Sequence, residues 1–91
     1  DIKPDNLLIS ESGVIKVGDF GLAVQLEHSC SKRNALCGTS MYMGPEVYNE
    51  GACLKSDVWS LGMSMIEIAE GKHPYASLSS FKVRSVDLVD A

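Results

Sequence analysis

Residues 1–21 read DIKPDNLLISESGVIKVGDFG, and the organisation of the chain follows from them. Asn6–Ser10 (NLLIS) is a short apolar run. Glu11, Ser12 and Gly13 form a turn signal, with Gly13 free to take positive φ. Val14–Gly18 (VIKVG) is a second short run with alternation. Together they predict a β-hairpin over residues 7–18. Asn6 lies six positions before Ser12, near the tip, and Asp19 lies seven after it. Two strands folding back therefore bring Asn6 and Asp19 to the same open end. Both offer hard oxygen atoms, which suit Mg²⁺ together with phosphate oxygens. Asp1 is five residues before Asn6, close enough to share the site, and Lys3 adds a point charge suited to a transferring phosphate. Any one of these groups could be a solvated loop charge. Their joint spacing argues for a base, a cation and two metal ligands.

Beyond the hairpin, QLEHSCSKRNALC (residues 25–37) is mostly polar and has no sustained period, so it reads as a loop. Pro45 favours the first turn of a short helix over Pro45–Asn49. Ser56 is a plausible N-cap and Asp57 suits the positive end of the dipole of a longer helix, residues 56–70, which stops at Gly71. Val58, Leu61, Met65 and Ile68 mark one face, and Trp59, Met63 and Ile66 cover much of the rest. A helix apolar nearly all round is a buried one. A chain of 91 residues has too little other material to bury it, which implies partners from a larger domain. Leu78–Val86 is a candidate for a further helix.

Composition narrows the class. Apolar residues are 45% and charged residues 22%, a globular balance rather than a disordered one. A net charge of −4 argues against nucleic acid as a partner. No apolar run approaches the roughly 18 residues of a membrane span, and without a charged-then-apolar stretch at residue 1 nothing marks these residues for secretion. Cys30, Cys37 and Cys53 are an odd set with unequal spacing, so a complete disulfide framework is excluded and a reducing, cytoplasmic setting fits. His28, Cys30 and Cys37 lack a fourth ligand and a CxxC pair, which disfavours zinc. Met41, Met43, Met63 and Met65 read as packing residues, and His73 as a turn residue.

Four motifs in order carry a resemblance. Asp1-Ile2-Lys3-Pro4-Asp5-Asn6 resembles the catalytic loop of a eukaryotic protein kinase, beginning at its HRD aspartate. Asp19-Phe20-Gly21 resembles the DFG motif after the same hairpin. Gly44-Pro45-Glu46 resembles a variant APE motif, and Asp57–Gly62 (DVWSLG) the start of the central helix of the kinase C-terminal lobe. The match runs from Asp1 to about Tyr75. It implies an α+β fold, a partial kinase C-terminal lobe. Residues 1–6 would be the catalytic loop, 7–18 the hairpin, 19–46 the activation segment and 56–70 the central helix.

The resemblance also implies roles, with ATP and Mg²⁺ as cofactors. Asp1 would accept the proton of the substrate hydroxyl, and Lys3 would steady the γ-phosphate. Asn6 and Asp19 would hold Mg²⁺. Thr39 would hydrogen-bond Asp1 and Lys3 beside the substrate, which with Lys3 points to a Ser/Thr rather than a Tyr kinase. Phe20 would pack under the helix bearing the family's glutamate, Gly21 would complete the DFG turn, and Glu46 would pair with a downstream Arg. Asp57 would anchor the backbone just before Asp1; the bland reading is a first-turn helix aspartate. Gly18 and Gly44 depart from the family pattern at a cost in local stiffness, not chemistry.

Within the family, residues 38–46 (GTSMYMGPE) resemble MAP kinase kinases and, in part, sterile-type kinases; NIMA-related kinases carry a comparable segment. Ser29 and Ser31, next to Lys32 and Arg33, are candidate sites for an upstream activating kinase, or simply solvated loop serines. Ala35 stands where a second MAP-kinase-kinase site would fall. The start at Asp1 points to a fragment or a processed product. The expected parent is a Ser/Thr protein kinase acting on protein substrates, with neither nucleic acid nor membrane as partner. The isolated chain lacks the Gly-rich loop, the VAIK lysine and its glutamate partner, so it is expected to be inactive. The alternatives are a scaffold that kept this half and lost nucleotide contacts, and a truncated remnant without function.

Overall fold

The computed structural model describes residues 1–26 and 38–76. The rest of the expected loop, including Ser29 and Ser31, lies outside the described residues, as does the candidate helix at 78–86. The described part is α+β. It runs from a 3₁₀ turn (Pro4–Asn6) through β1 (Leu7–Ile9) and β2 (Ile15–Val17) to a second 3₁₀ turn (Ser40–Tyr42), then α1 (Pro45–Asn49) and α2 (Ser56–Glu70).

The hairpin forms where the sequence predicts it. β1 and β2 are antiparallel, with Leu7 opposite Val17 and Ile9 opposite Ile15. Gly13 turns the chain at φ 87° and donates its N–H to Ser10 O. At the other end the Gly18 N–H donates to Asn6 O at 2.8 Å, which continues the ladder one step. That bond places Asp19 directly beyond Asn6. The strands themselves are largely solvent-exposed on both sides, so alternation does not sort this hairpin into an inner and an outer face.

α1 starts at Pro45, whose missing N–H costs nothing at a helix start. α2 ends at Gly71, in the left-handed region at φ 81°. Its beginning differs from expectation. Lys55 occupies the N-cap and Ser56 is the first helical residue, without an N-cap bond. The Ser56 hydroxyl turns back instead, accepting from the Cys53 N–H at 3.0 Å and donating to Glu46 Oε1 at 2.8 Å. It thereby ties the start of α2 to α1.

The packing of α2 also corrects the periodicity reading. The buried positions are Ser56, Ser60, Met63 and Ser64. The expected apolar face, Val58, Leu61, Met65 and Ile68, is exposed, with Ile68 at 62%. The reason is which neighbour is present. Small side chains at every fourth position let the Ser40–Tyr42 turn approach the helix axis closely. The Ser60 hydroxyl donates to the Tyr42 carbonyl across that contact. Little else in the described residues covers the apolar side, in line with the shortage of material noted from chain length. Met43 and Met63 are core residues as expected, whereas Met65 is 61% exposed. No helix among the described residues is long and apolar enough to cross a membrane.

Ser64 is the one completely buried side chain among the described residues, and its hydroxyl donates to Ser60 O at 2.8 Å. Ser64→Ala should therefore cost at most about 1 kcal/mol, the net value of one hydrogen bond. Ser64→Leu should cost about 1–3 kcal/mol by overpacking the contact with the turn. Denaturant unfolding of the full-length variants checks the order. Equal stability of the two variants would mean the face is not close-packed.

Candidate active site

Thr39 stands at the centre of the site. Its backbone N–H donates to Asp1 Oδ1 at 3.2 Å, and its hydroxyl donates to the same oxygen at 3.0 Å. The hydroxyl also accepts from Lys3 Nζ at 3.0 Å. Lys3 Nζ lies 3.5 Å from Asp1 Oδ2. Carboxylate, hydroxyl and ammonium thus form one closed cluster, joining positions 36 and 38 residues apart in sequence.

Local sequence explains how each member is held. Pro4 starts the 3₁₀ turn directly after Lys3, which keeps Lys3 extended with φ −160°. The Asn6 N–H closes that turn on Lys3 O, while Asn6 Nδ2 donates to Asp1 O at 2.8 Å. Asn6 therefore braces the backbone on both sides of the cluster. Gly38 enters the site at φ 122°, and a Cβ there would press on Met43 Cε at 3.3 Å. Such a Cβ would also come within 3.6 Å of Asp1 Oδ1. Glycine allows the backbone angle and spares Met43 the contact, while the distance to the carboxylate is an ordinary one.

Asp19 is the one described non-glycine residue with positive φ, at 55°. Its Oδ1 accepts from the Gly21 N–H at 3.2 Å, a local turn that offsets the strain. Asp1, Asp19, Thr39, Asp57 and Ser60 line one cavity of about 220 Å³. Asn6 is not among the residues lining that cavity, and its link to Asp19 is the backbone bond from the Gly18 N–H to Asn6 O. With Asn6 Nδ2 committed to Asp1, the amide Oδ1 is the oxygen left for coordination, and Asp19 keeps its second carboxylate oxygen. No group of three or more His, Cys, Asp or Glu able to hold a metal is found among the described residues. Two protein oxygens suit Mg²⁺, which retains waters and takes substrate phosphates.

The remaining expected residues are more scattered. Phe20 is 68% exposed. Asp57 is exposed in the first turn of α2 and faces the same cavity as Asp1. Glu46 is held by the Ser56 hydroxyl. Its carboxylate lies so close to Gly44 that a Cβ there would overlap it. The glycine therefore does more than loosen the chain, because the carboxylate occupies the space of the absent methyl.

Three residues were missed by sequence reasoning. The Tyr42 phenol donates to Glu67 Oε1 at 2.6 Å. Ser60 holds the Tyr42 carbonyl. His73, expected as a turn residue, is only 4% exposed and reaches the Met41 carbonyl through Nε2 at 2.7 Å. Their partners are 18 to 32 residues away, beyond any local pattern.

Comparison with known proteins matches residues 1–89 to the protein kinase domain family. The chain is 47% identical over 79 residues to the serine/threonine-protein kinase cst-1 of Caenorhabditis elegans, covering 86% of the chain and 16% of that protein. It is 49% identical over 84 residues to serine/threonine-protein kinase 1 of Arabidopsis thaliana, covering 91% of the chain and 10% of that protein. It is 46% identical over 84 residues to serine/threonine-protein kinase 4 homolog B of Dictyostelium discoideum, covering 91% of the chain and 8% of that protein. The chain thus spans between 8% and 16% of the length of these relatives.

Burial raises the Tyr42 phenol above its ordinary value of 10.0, assisted by the hydrogen bond to Glu67 and by the charges of Glu67 and Asp5. The folded state therefore keeps a proton that the unfolded phenol loses. This contribution to stability is whole below the ordinary phenol value and declines as pH rises above it. Thermal melting of the full-length protein between about pH 9 and about pH 11 should show a steeper loss than that of Tyr42→Phe. Parallel pH profiles of the two proteins would contradict this.

Proposed function

The chain belongs to the protein kinase family, and from that premise we propose that the protein carrying it transfers the γ-phosphate of ATP to a Ser or Thr hydroxyl of a protein substrate. The observation that carries the reading is the Thr39 hydroxyl shared between the Asp1 carboxylate and the Lys3 ammonium. The Ser/Thr kinase relatives support the substrate class.

In this reading residues 1–6 are the catalytic loop, 19–46 the activation segment and 56–70 the central helix. Asp1 orients the substrate hydroxyl and receives its proton as the oxygen attacks the γ-phosphorus. The bond to the bridging β-oxygen breaks and ADP leaves. Lys3 places positive charge beside the transferring phosphoryl group. Thr39 keeps Lys3 from collapsing fully onto Asp1 and fixes the carboxylate's orientation. Asn6 and Asp19 would hold Mg²⁺, which when bound neutralises charge on the phosphate oxygens. The left-handed backbone at Asp19, held by the Gly21 N–H, supports a fixed carboxylate direction there. Asp57 stabilises the backbone entering Asp1, and Glu46 ties α1 to the start of α2. An upstream kinase acting on Ser29 or Ser31 would supply control, in a cytoplasmic setting.

Catalysis needs nucleotide contacts that residues 1–91 do not provide, among them a Gly-rich loop and a VAIK lysine. In the full-length protein, Asp1→Asn should lower kcat for a protein substrate by about 10²–10⁴-fold with ATP binding retained. The 91-residue segment alone should transfer no measurable phosphate from Mg·ATP. A full-length Asp1→Asn variant with near-normal turnover would overturn the reading, and Asp1-dependent turnover by the segment would overturn its dependence on the rest of the kinase domain.

A further inference from the structure

The Ser40–Tyr42 turn carries Thr39 into the site, so whatever fixes that turn fixes the cluster. The Tyr42 N–H donates to Thr39 O at 3.0 Å, and the Met43 N–H to Ser40 O at 3.2 Å. Those bonds are internal to the turn. They set its shape and leave its place on the molecule undetermined. Its place depends on what grips its carbonyls and side chains from outside. The Tyr48 hydroxyl donates to the Ser40 carbonyl at 3.1 Å, Ser60 takes the Tyr42 carbonyl, and the Tyr42 phenol reaches Glu67. The Met41 carbonyl, at the apex, is taken by His73, from the turn that follows α2.

The environment of His73 permits one arrangement of its ring. The Tyr75 N–H donates to Nδ1 at 2.9 Å, so Nδ1 must present a lone pair. Nε2 lies 2.7 Å from a carbonyl oxygen, which can only accept, so Nε2 must carry the hydrogen. The hydrogen-bond pattern therefore assigns the Nε2–H tautomer of the neutral ring. The ring also meets Tyr42 edge-on, with centroids 4.9 Å apart and planes at 89°. Tyr75 packs on it at 5.4 Å, and the His73 carbonyl accepts from the Ala76 N–H at 3.1 Å. Both nitrogens and the ring surface are thus engaged, in a side chain only 4% exposed. Among the described residues, its bond to a distant part of the chain is to the apex of the turn that bears Thr39.

We propose that His73 is a positioning residue for phosphotransfer: by holding the Met41 carbonyl it fixes the Ser40–Tyr42 turn, and so keeps Thr39 on Asp1 and Lys3. This rests on the kinase reading above for its effect on activity, and on the geometry alone for its effect on the turn. The two parts separate in the test. A phenylalanine at this position keeps a ring against Tyr42 and removes both nitrogens. A glutamine restores an N–H donor near the position of Nε2.

The experiment compares His73→Phe and His73→Gln with wild type in the full-length protein. Hydrogen exchange reads the turn directly. His73→Phe should speed exchange of the Thr39 and Tyr42 amides and leave the α2 amides unchanged. In steady-state assays it should lower kcat/KM for a protein substrate about three- to tenfold, the range of one hydrogen bond. The KM for ATP should stay unchanged. His73→Gln should recover most of both effects. Unchanged exchange at Thr39 and Tyr42 in His73→Phe would overturn the proposal. So would faster exchange throughout α2 together with a raised KM for ATP, which would make His73 a general stabiliser. Should the wild-type protein transfer no phosphate, the kinase reading fails, while the exchange comparison still decides for or against the positioning role.

Discussion

One hydroxyl, used in both directions, organises this structure. The Thr39 hydroxyl donates to Asp1 and accepts from Lys3, each at 3.0 Å. A carboxylate and an ammonium left to themselves would close into a direct pair, each neutralising the other. Here the direct pair is long, 3.5 Å from Lys3 Nζ to Asp1 Oδ2, and the Thr39 hydroxyl adds a bridge from the same ammonium to the other carboxylate oxygen. Only a side chain that can both donate and accept meets this demand, which admits Thr or Ser and excludes Val. The requirement then spreads backwards through the chain. Gly38 supplies the backbone angle of φ 122° that leads into Thr39, and Pro4 and Asn6 set the turn beside Asp1 and Lys3.

The helix α2 supplies the second half of the arrangement. Ser56, Ser60 and Ser64 are its buried small residues, and the Ser60 hydroxyl bonds the Tyr42 carbonyl across the contact with the site-bearing turn. Tyr42 then extends past this seam to Glu67, and His73 grips the apex from beyond the helix end. The opposite, apolar side of α2 is exposed among the described residues. One helix thus has two surfaces: a small polar one that contacts the turn bearing Thr39, and a large apolar one suited to burial within a bigger domain.

Much of this was legible in the residues. The hairpin was, because Gly13 and the two short apolar runs leave few alternatives, and its open end brings Asn6 and Asp19 into line through one backbone bond. The boundaries of α1 were, because Pro45 fixes its start. Asp1 and Lys3 were placed at the site by their spacing from Asn6, whereas Thr39 was reached through motif resemblance, since no local period links residues so far apart. That little in this chain would cover the apolar side of α2 was legible from its length, but which side packs against the Ser40–Tyr42 turn was not. Periodicity ranks residues by hydropathy and pointed to Val58, Leu61, Met65 and Ile68, whereas the face that packs here is selected by size. His73 escaped for a related reason. A Gly-Lys-His-Pro run reads as a turn, and nothing local reveals that the imidazole spans to a carbonyl 32 residues earlier. The N-cap at Ser56 was misread because a serine hydroxyl has several partners within reach, and here Cys53 and Glu46 prevail.

The central claim is that Lys3 and Asp1 act through the single hydroxyl of Thr39. A double-mutant cycle in the full-length protein tests it most directly, using Thr39→Val, Lys3→Met and the combined variant, read as kcat/KM for a protein substrate. If the hydroxyl is the shared link, the second substitution adds little to the first, and the combined loss falls at least about fivefold short of the product of the single losses. Losses that multiply in full would mean that Thr39 and Lys3 contribute independently, and would contradict the account.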